Sequence, residues 1–454
     1  MSVTRLSVIG LGKLGAVMAA ILAEKGYSVT GVDLNQDFVD AINRGEAPVE
    51  EPDLAALVAR NRERLRATAD AAAAVLDTEA TFIIVPTPSG RDGTFRLDYV
   101  LNACRSIGHA LRGKPGYHLV VVSSTVMPGH TSGEILPALE QASGKKCGAD
   151  FGLCYNPEFI ALGSVVRDML NPDMLLIGES DAAAGEMLES IYRRVCENDP
   201  PAMRMNFVNA ELTKLAVNTY VTTKISYANM LAEVCGNLPG ADVDAVTAAL
   251  GRDTRIGRKY LKGAMGYGGP CFPRDNVAFA AMARQLGVEA TLAEATHEIN
   301  RRQVPRLGEW VLNLLPPGGA AAILGLSYKP GTGVVEESQG VALARFLAGN
   351  RVPVRVYDPQ AMPAAARELG ESVTYAASLD DAIAAADVIV VATPWEQFRA
   401  LTPPQLARPA ERRAILLDCW RIFAGQGFEQ TCTYLQPGVG REGSARADLA
   451  AARA

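Results

Sequence analysis

Short apolar runs, each followed by a helical pattern, recur along most of the chain. They fall at residues 6–9, 29–33, 81–85 and 119–122, and again at residues 320–326, 354–358, 387–392 and 415–418. Apolar runs of this length between helical segments are typical of parallel sheets that are covered on both faces. The pattern predicts an α/β fold with two Rossmann-like domains joined by a central helical region.

A long helical stretch lies between the two α/β parts. Residues 209–235 contain neither proline nor glycine, which predicts one helix that bridges two domains or a dimer interface. Glu211, Lys214 and Asn218 fall on one face of this helix, at spacings of three and four. The ordinary interpretation of such a trio is a solvated polar face with an ion pair.

The turn after the first strand has the pattern GxGxxG. Its residues are Gly10, Leu11, Gly12, Lys13, Leu14 and Gly15, and the next strand ends on Asp33. These glycines let the backbone approach a pyrophosphate, which the following helix N-terminus attracts. Asp33 would bind ribose hydroxyls and repel a 2′-phosphate, so NAD is favoured over NADP. The alternative is a glycine-rich turn beside a strand-end acid. The second α/β part lacks GxGxxG and is not expected to bind a dinucleotide in the usual way.

Polar loops follow two further strands of the first part. Pro86 and Thr87 follow one strand, and the loop with Thr125 follows the next. Open parallel sheets bind ligands at the carboxyl ends of their strands. Glu158 comes after an Asn-Pro turn, and the residues alone favour an ordinary surface carboxylate there.

A cysteine loop is the most distinctive stretch of the sequence. Cys271 follows three glycines and lies between two prolines, and Arg274 and Asp275 come directly after. Glycines allow close approach of a ligand to the backbone, and a nearby cation favours the nucleophilic thiolate. The alternative is a buried structural cysteine in a Gly/Pro turn. The cations before the loop, such as Arg255 and Lys262, suit a bound phosphate or diphosphate.

Composition excludes several classes of protein. The net charge of -6 argues against a nucleic-acid footprint. The 8 cysteines are scattered without a CxxC pair, and the 4 histidines show no metal-ligand spacing, so no metal site is predicted. The first residues lead directly into a strand, and no apolar run is long enough to cross a membrane. We therefore expect a cytoplasmic protein with reduced thiols.

The 454 residues exceed what one hydrophobic core supports. We predict an NAD-binding Rossmann-like domain over residues 1–200 and a central helical domain with the cysteine loop over 201–305. A C-terminal Rossmann-like domain is predicted over residues 306–436. The tail, residues 437–454, is rich in Gly, Ala, Arg and Glu and is expected to be poorly ordered.

The motifs, in their order, resemble those of the UDP-glucose/GDP-mannose dehydrogenases, which are NAD-dependent four-electron oxidases of nucleotide sugars. The similar segments are GLGKLG, VPTP, SSTV, NPEF, ELTKLAVN, RIG, GYGGPCFPRD, YKPGT and VYDP, between about residues 3 and 425. The resemblance implies that Cys271 is a catalytic thiol that traps an aldehyde as a thiohemiacetal and then forms a thioester.

The resemblance also implies roles for other residues. Lys214, with Asn218 beside it, would stabilise oxyanions, and Asp275 would hold a water. Glu158 would be the base for thioester hydrolysis, and Thr125 would help to position water and cofactor. It implies that the C-terminal domain, residues 306–436, binds the nucleotide sugar. The residues that would contact this substrate are Glu158, Phe159, Lys214, Asn218, Arg255, Tyr260, Lys262, Gly268, Lys329 and Arg421.

Four positions depart from the family pattern. Arg274 replaces a lysine, and Leu162 replaces a second acid. Met230 stands where the family has an acid, and Glu336 replaces an arginine expected at the cofactor. Leu162 and Glu336 therefore remove polar contacts that the resemblance implies near the cofactor.

The leading prediction is oxidation of UDP-glucose to UDP-glucuronate by a homodimer that forms through the long helix, in the synthesis of polysaccharide precursors. UDP-N-acetylhexosamines and GDP-mannose remain alternative substrates. The two-electron β-hydroxyacid dehydrogenases are a second enzyme class that the sequence allows. They also have a GxGxxG domain and a Lys-x-x-x-Asn pattern on a helix. A third possibility, favoured by Leu162 and Glu336, is a nucleotide-sugar-binding protein with weakened catalysis.

Overall fold

Two sheets organise the chain, and both confirm the predicted α/β class. The structure, a computed structural model, describes residues 3–440 and divides into one unit up to Val217 and a second from Asn218. In the first unit the strands are β1 (Arg5–Ile9), β2 (Ser28–Val32), β3 (Leu65–Thr68), β4 (Ala80–Ile83), β5 (His118–Val122), β6 (Phe151–Tyr155), β7 (Leu175–Glu179) and β8 (Ala202–Met205). Their order in the sheet is β3-β2-β1-β4-β5-β6-β7-β8, and β7 runs antiparallel to β6.

Helices cover both faces of this sheet. They are α1 (Gly15–Glu24), α2 (Gln36–Arg44), α3 (Leu54–Arg60), α4 (Ala71–Asp77), α5 (Asp98–Gly113), a π-helical turn (Thr131–Ile135), α6 (Leu136–Ser143), α7 (Val165–Leu170) and α8 (Ala182–Val195). Two apolar clusters lie on the two faces, one around α1 and α8 and the other around α5. Because both faces are covered, β1, β2, β4 and β5 are mostly apolar, and this made them recognisable in the sequence, whereas β3 and β8 each carry an arginine and were not predicted.

The predicted long helix is α9 (Phe207–Asn237), and the boundary between the units falls inside it. The second unit continues with α10 (Val243–Leu250), α11 (Phe272–Gln285), α12 (Thr291–Leu314), β9 (Ala321–Leu324), α13 (Gln339–Gly349), β10 (Val354–Tyr357), α14 (Met362–Leu369), β11 (Thr374–Tyr375), α15 (Leu379–Ile383), β12 (Val388–Val391), β13 (Ile415–Asp418) and β14 (Thr433–Leu435). The all-parallel sheet has the order β11-β10-β9-β12-β13-β14.

The predicted tail begins inside the second unit. Val439 forms an antiparallel bridge with Asp242, and the backbone N–H of Val243 donates to the carbonyl of Gly438 at 2.9 Å. Residues 437–440 therefore contact the start of α10. Residues 441–454, the rest of the predicted tail, lie outside the described residues.

Asp33, the acid that follows β2 in the first sheet, accepts two hydrogen bonds from neighbouring backbone groups. One oxygen of Asp33 accepts from the backbone N–H of Leu11 at 2.7 Å, and the other accepts from Asn35 at 2.8 Å. Asp33 is partly exposed, and a carboxylate has lone pairs for more than these two hydrogen bonds. It therefore fixes the glycine turn and can still accept hydrogen bonds from a ligand.

The corresponding acid of the second sheet, Asp358, is closed off. Its carboxylate is 1% exposed and accepts six hydrogen bonds of 2.8–3.0 Å. The donors are the backbone N–H groups of Leu326, Ser327, Gln360 and Ala361, the Ser327 hydroxyl and the Trp395 indole. The bulky Trp395 side chain covers the acid, so the second sheet offers no open acid at this position.

We expect Asp358→Asn to lower the free energy of unfolding by about 3 kcal/mol, because an amide NH₂ would face N–H donors in a buried site. Asp33→Asn is the matched control, and its two bonds and partial exposure predict a loss of about 1 kcal/mol or less. Urea denaturation measures both. Equal losses in the two variants would contradict this reading of the strand-end acids.

Candidate active site

The glycine turn between β1 and α1 leaves room for a ligand at one position. A Cβ on Gly10, whose φ is +98°, would collide with the carbonyl oxygen of Ile84, and one on Gly15 would collide with Gly10. A Cβ on Gly12 would meet no protein atom within 4 Å. The outer glycines thus close the turn, while Gly12 faces open space beside the α1 N-terminus. This is the arrangement that a dinucleotide pyrophosphate requires.

The other predicted cofactor residues lie at neighbouring strand ends of the same sheet. The Thr87 hydroxyl donates to the carbonyl of Thr125 at 2.8 Å, and the N–H of Val85 donates to the Ser124 hydroxyl at 2.9 Å. These bonds join the loops after β4 and β5, and Pro86 lies exposed between them. Together with the glycine turn and Asp33, the loops form a continuous ligand edge that fits NAD.

The structure brings Lys214, Glu158 and Phe159 together within the first unit. The Lys214 ammonium is buried, donates to the backbone carbonyl of Glu158 at 2.6 Å and lies 4.6 Å from the centre of the Phe159 ring. One of its three hydrogens is used in this hydrogen bond, so others remain for a ligand oxygen. An ammonium in a poorly hydrated position interacts strongly with a developing oxyanion.

The Glu158 carboxyl belongs to a buried network that sequence reasoning missed. The Tyr192 hydroxyl on α8 lies 2.6 Å from Asn156 Oδ1 and 2.9 Å from Glu158 Oε1, and the Asn156 amide donates to the carbonyl of Leu176. A phenol has one hydrogen, so it bonds one of the two oxygens at a time, and an ionised carboxylate is the stronger acceptor. Asn156 lies in the NPEF motif, but a tyrosine on an amphipathic helix carries no distinguishing signal.

The environment of Glu158 makes it a weaker acid than usual. It borders a small apolar cavity lined by Met18, Ile21, Leu22, Phe82, Met169 and Val195. Burial raises the pKa of Glu158, against the opposing effects of the Tyr192 hydrogen bond and the Lys214 charge. A carboxylate in such a site is a stronger base than one in water.

The cysteine loop in the second unit presents a thiol at a helix N-terminus. Cys271 is the N-cap residue of α11 and is exposed, whereas the other seven cysteines, all within the described residues, are buried or partly buried. The positive end of the helix dipole favours a thiolate. The structural alternative of a buried cysteine is therefore wrong for Cys271.

Asp275 and Asn218 are bonded to each other in the second unit. Asp275 lies one helical turn after Cys271 and is 1% exposed, and it accepts from the Asn218 amide at 2.6 Å. Arg274 Nε lies 3.7 Å from the other carboxylate oxygen, so the arginine that replaces the family's lysine keeps a charge contact. The predicted thiol, acid and amide therefore lie along adjoining parts of α11 and α9.

The predicted phosphate-binding cations are only partly brought together. Lys262 donates to Asp244 at 2.9 Å, while Arg255 is highly exposed and pairs with Asp253. Tyr260 has a φ of +65° and is half-exposed, and its ring lies edge-on to Phe272. Lys329 is partly exposed in the loop after β9. Gly268 lies in the cysteine loop, where a Cβ would collide with the carbonyl of Glu337.

The predicted role of Arg421 in substrate binding does not agree with its position. Its side chain is 2% exposed, and its five N–H groups donate to both oxygens of Asp244 and to the carbonyls of Cys419, Gly263 and Pro437. A buried guanidinium needs all of its donors satisfied, and none is left for a ligand. Arg421 instead ties the strand-end loop after β13 to α10.

The structure shows the surroundings of the three other positions that differ from the family pattern, Leu162, Glu336 and Met230. Leu162 packs against the first apolar core, and Glu51 accepts from the backbone N–H groups of Gly163 and Val165 beside it. Glu336 has an exposed side chain and uses its backbone carbonyl to accept from the N–H of Gly269 at 3.0 Å. Met230 is exposed on α9.

Two negative findings limit the chemistry of residues 3–440. No helix there is long and apolar enough to cross a membrane. The same residues contain no cluster of three or more side chains suited to a metal ion.

The Rossmann turn with its open acid, the buried lysine and the helix-capping thiol define an NAD-dependent oxidoreductase. Models of three domains of one family match consecutive parts of the chain: the NAD binding domain at residues 4–196, the central domain at 208–302 and the UDP binding domain at 322–425. The chain belongs to the UDP-glucose/GDP-mannose dehydrogenase family, the nucleotide-sugar 6-dehydrogenases, and NAD is its cofactor.

Relatives with both kinds of substrate are similar to this chain. A UDP-glucose 6-dehydrogenase from Haloferax volcanii is 40% identical over 92% of this chain and 96% of its own. A GDP-mannose 6-dehydrogenase from Pseudomonas aeruginosa is 36% identical over 87% of this chain and 92% of its own. The solved UDP-glucose dehydrogenase of Pyrobaculum islandicum has a TM-score of 0.86 and 35% identity, covering 96% of this chain and 98% of that one.

We expect Tyr192→Phe to raise the pKa of Glu158 further, because the variant loses a hydrogen bond that favours the ionised form. Nuclear magnetic resonance of ¹³C-labelled glutamate measures this pKa, and Glu158→Gln assigns the signal. Tyr27→Phe is the control, since Tyr27 is buried in the same unit and contacts Arg194 instead. An unchanged or lowered pKa in Tyr192→Phe would contradict the network.

Proposed function

We propose that this protein oxidises the C6 hydroxyl of UDP-glucose to a carboxylate, with two NAD consumed per sugar. The exposed thiol of Cys271 at the N-terminus of α11 carries this proposal. A two-electron dehydrogenase needs no thiol, whereas oxidation beyond the aldehyde needs a group that converts the aldehyde back into a hydride donor. The retained Cys271, Lys214 and Glu158 also argue against a protein that only binds nucleotide sugars.

NAD, which the turn from Gly10 to Gly15 and Asp33 would hold, would supply the hydride acceptor for both oxidations at C6. The protein's residues act on the intermediates between them. The Cys271 thiolate forms a C–S bond to the aldehyde carbon, and the carbonyl electron pair moves to oxygen, which the Lys214 ammonium stabilises and a proton then neutralises. Loss of the second hydride leaves a thioester.

Hydrolysis of this thioester ends the reaction. We assign the activation of water to Glu158, which removes a proton as water attacks the acyl carbon and the C–S bond breaks to return the thiolate. The buried Asp275, held by Asn218, is assigned to ordering a water near the thiol. Thr125, on the loop bonded to Thr87, is assigned to positioning water and cofactor.

The substrate assignment rests on similarity and on the cation segments. The UDP binding domain model matches residues 322–425, and the RIG and KYLK segments resemble those of the UDP-sugar branch. GDP-mannose is the second candidate, because several GDP-mannose 6-dehydrogenases are 35–36% identical to the chain. The chain's eight cysteines are scattered without a CxxC pair, which suits a reducing compartment, and we propose the cytoplasm.

We expect the wild type to form two NADH per UDP-glucose and Cys271→Ala to form at most one, because the aldehyde is then not captured. NADH absorbance and chromatography of the sugars, over a panel of UDP and GDP sugars, measure both quantities. Cys235→Ala is the control, since this buried thiol lies on α9 and not at the N-terminus of α11.

Four results would contradict the proposal or its substrate assignment. Full uronate formation by Cys271→Ala would exclude the thiol mechanism. One NADH per sugar from the wild type would indicate a two-electron enzyme. Tight sugar binding without NADH would indicate a binding protein, and faster turnover of GDP-mannose would move the substrate to the second candidate.

We further propose a homodimer formed through α9. The exposed face of this helix is apolar along most of its length, including Tyr220 (63% exposed), Tyr227 (45%) and Val234 (55%). Its buried face carries polar side chains, including Lys214, Asn218 and Asn229, so the large apolar side chains of α9 face outward, where a partner normally covers such a surface. Identical copies of the helix supply a matching apolar surface by two-fold symmetry.

Light scattering after size exclusion tests the dimer. We expect a wild-type dimer and a monomeric Tyr227→Glu/Val234→Glu variant, since two buried charges would face each other across the symmetric interface. Asn237→Glu, at an exposed polar position near the end of the same helix, is expected to remain dimeric. A monomeric wild type would refute this assembly.

A further inference from the structure

Asparagine side chains hold the segment that leads to Cys271. Residues 261–270 form neither helix nor strand, so their backbone groups need partners from elsewhere. On α9, the Asn229 side chain accepts from the N–H of Ala264 at 2.9 Å and donates to the carbonyl of Met265 at 3.0 Å. Asn229 is 1% exposed, and both ends of its amide are used on this segment.

A second asparagine repeats the arrangement from another helix. On α12, the Asn300 side chain accepts from the N–H of Tyr267 at 2.7 Å and donates to its carbonyl at 2.9 Å. Asn300 is 7% exposed. A primary amide offers a donor and an acceptor side by side, which matches an extended backbone that cannot pair with a strand.

The neighbouring residues show how closely the segment is held. A Cβ on Gly266 would lie 2.6 Å from Asn300 Oδ1, and the N–H of Gly269 donates to the carbonyl of Glu336 at 3.0 Å. Bonds to three separate elements therefore fix the backbone between residues 264 and 269. Two residues later the chain reaches Cys271, so these bonds also set where the thiol lies.

We propose that Asn229 and Asn300 are positioning residues that hold Cys271 where it captures the aldehyde, so that the second oxidation depends on them and the first does not. The inference rests on the proposed function, because it needs an aldehyde intermediate and a capturing thiol. A nucleophile displaced by about 1 Å can react about a hundredfold more slowly. An aldehyde that is not captured in time leaves the enzyme.

The experiment traps released aldehyde. UDP-glucose, NAD and O-benzylhydroxylamine are supplied, the oxime is quantified by mass spectrometry, and NADH is counted per sugar consumed. For Asn300→Ala and Asn229→Ala we expect at least about a tenfold increase in oxime over wild type, and fewer than two NADH per sugar. Asn300→Asp keeps the acceptor for Tyr267 and loses the donor, so an intermediate increase is expected.

Gln303→Ala is the matched control. Gln303 is a buried amide on α12, 3% exposed, and it bonds only to Ile299 and Arg306 of its own helix. Its loss is expected to lower stability without releasing aldehyde. If Asn300→Ala does not fold, the same measurements on Asn229→Ala and Asn300→Asp test the inference instead.

The outcomes separate this inference from the proposed function. If Cys271→Ala itself gives two NADH per sugar and no oxime, the thiol mechanism fails and the inference falls with it. If Cys271→Ala releases aldehyde but the folded asparagine variants release no more than Gln303→Ala, only the inference is overturned. If both oxidations slow equally in the asparagine variants and no oxime forms, the two asparagines have only a structural role and the inference is also overturned.

Discussion

The constraint on which the candidate chemistry depends is the hydrogen bonding of an irregular backbone segment. Residues 261–270 lack regular structure, yet their groups are buried beside Asn229 and Asn300, which supply the partners that a helix or sheet would provide. In the proposed reaction the thiolate attacks the aldehyde carbon and is released again when the thioester is hydrolysed, so its position has to be fixed. A side-chain-bonded loop at the N-terminus of α11 keeps it exposed and fixed at once.

The two Rossmann-like parts differ in the hydrogen bonding of the acids at their strand ends. Both sheets end a strand on an acid, but Asp33 makes two hydrogen bonds and stays partly exposed, whereas Asp358 makes six and is covered by Trp395. The same topology therefore gives one open dinucleotide edge and one edge whose acid is used for folding. The absence of GxGxxG distinguished the second part in the sequence, but the hydrogen bonding of Asp358 was not predicted, because it depends on residues as far as 37 positions away, such as Trp395.

The sequence was informative where function depends on backbone shape. Gly10, Gly12, Gly15 and the cysteine loop follow local rules, and the structure gives them the expected turns. Arg421 and Tyr192 show the limit, because their settings depend on long-range partners. The Arg421 guanidinium donates hydrogen bonds to Asp244, which is 177 residues away along the chain. The Tyr192 hydroxyl donates to Glu158, which is 34 residues away. A charged residue near a motif and a tyrosine on an amphipathic helix look the same in a sequence whether they touch substrate or protein.

The most direct test of the account is a search for the covalent intermediate. Glu158→Gln, with UDP-glucose and NAD, is quenched in acid and digested, and peptide mass spectrometry follows the peptide that contains Cys271. The account predicts a uronyl thioester on that peptide, formed with two NADH per enzyme and released slowly, because the base for hydrolysis is missing. Two NADH per enzyme with an unmodified Cys271 peptide, or an adduct on another cysteine, would contradict it.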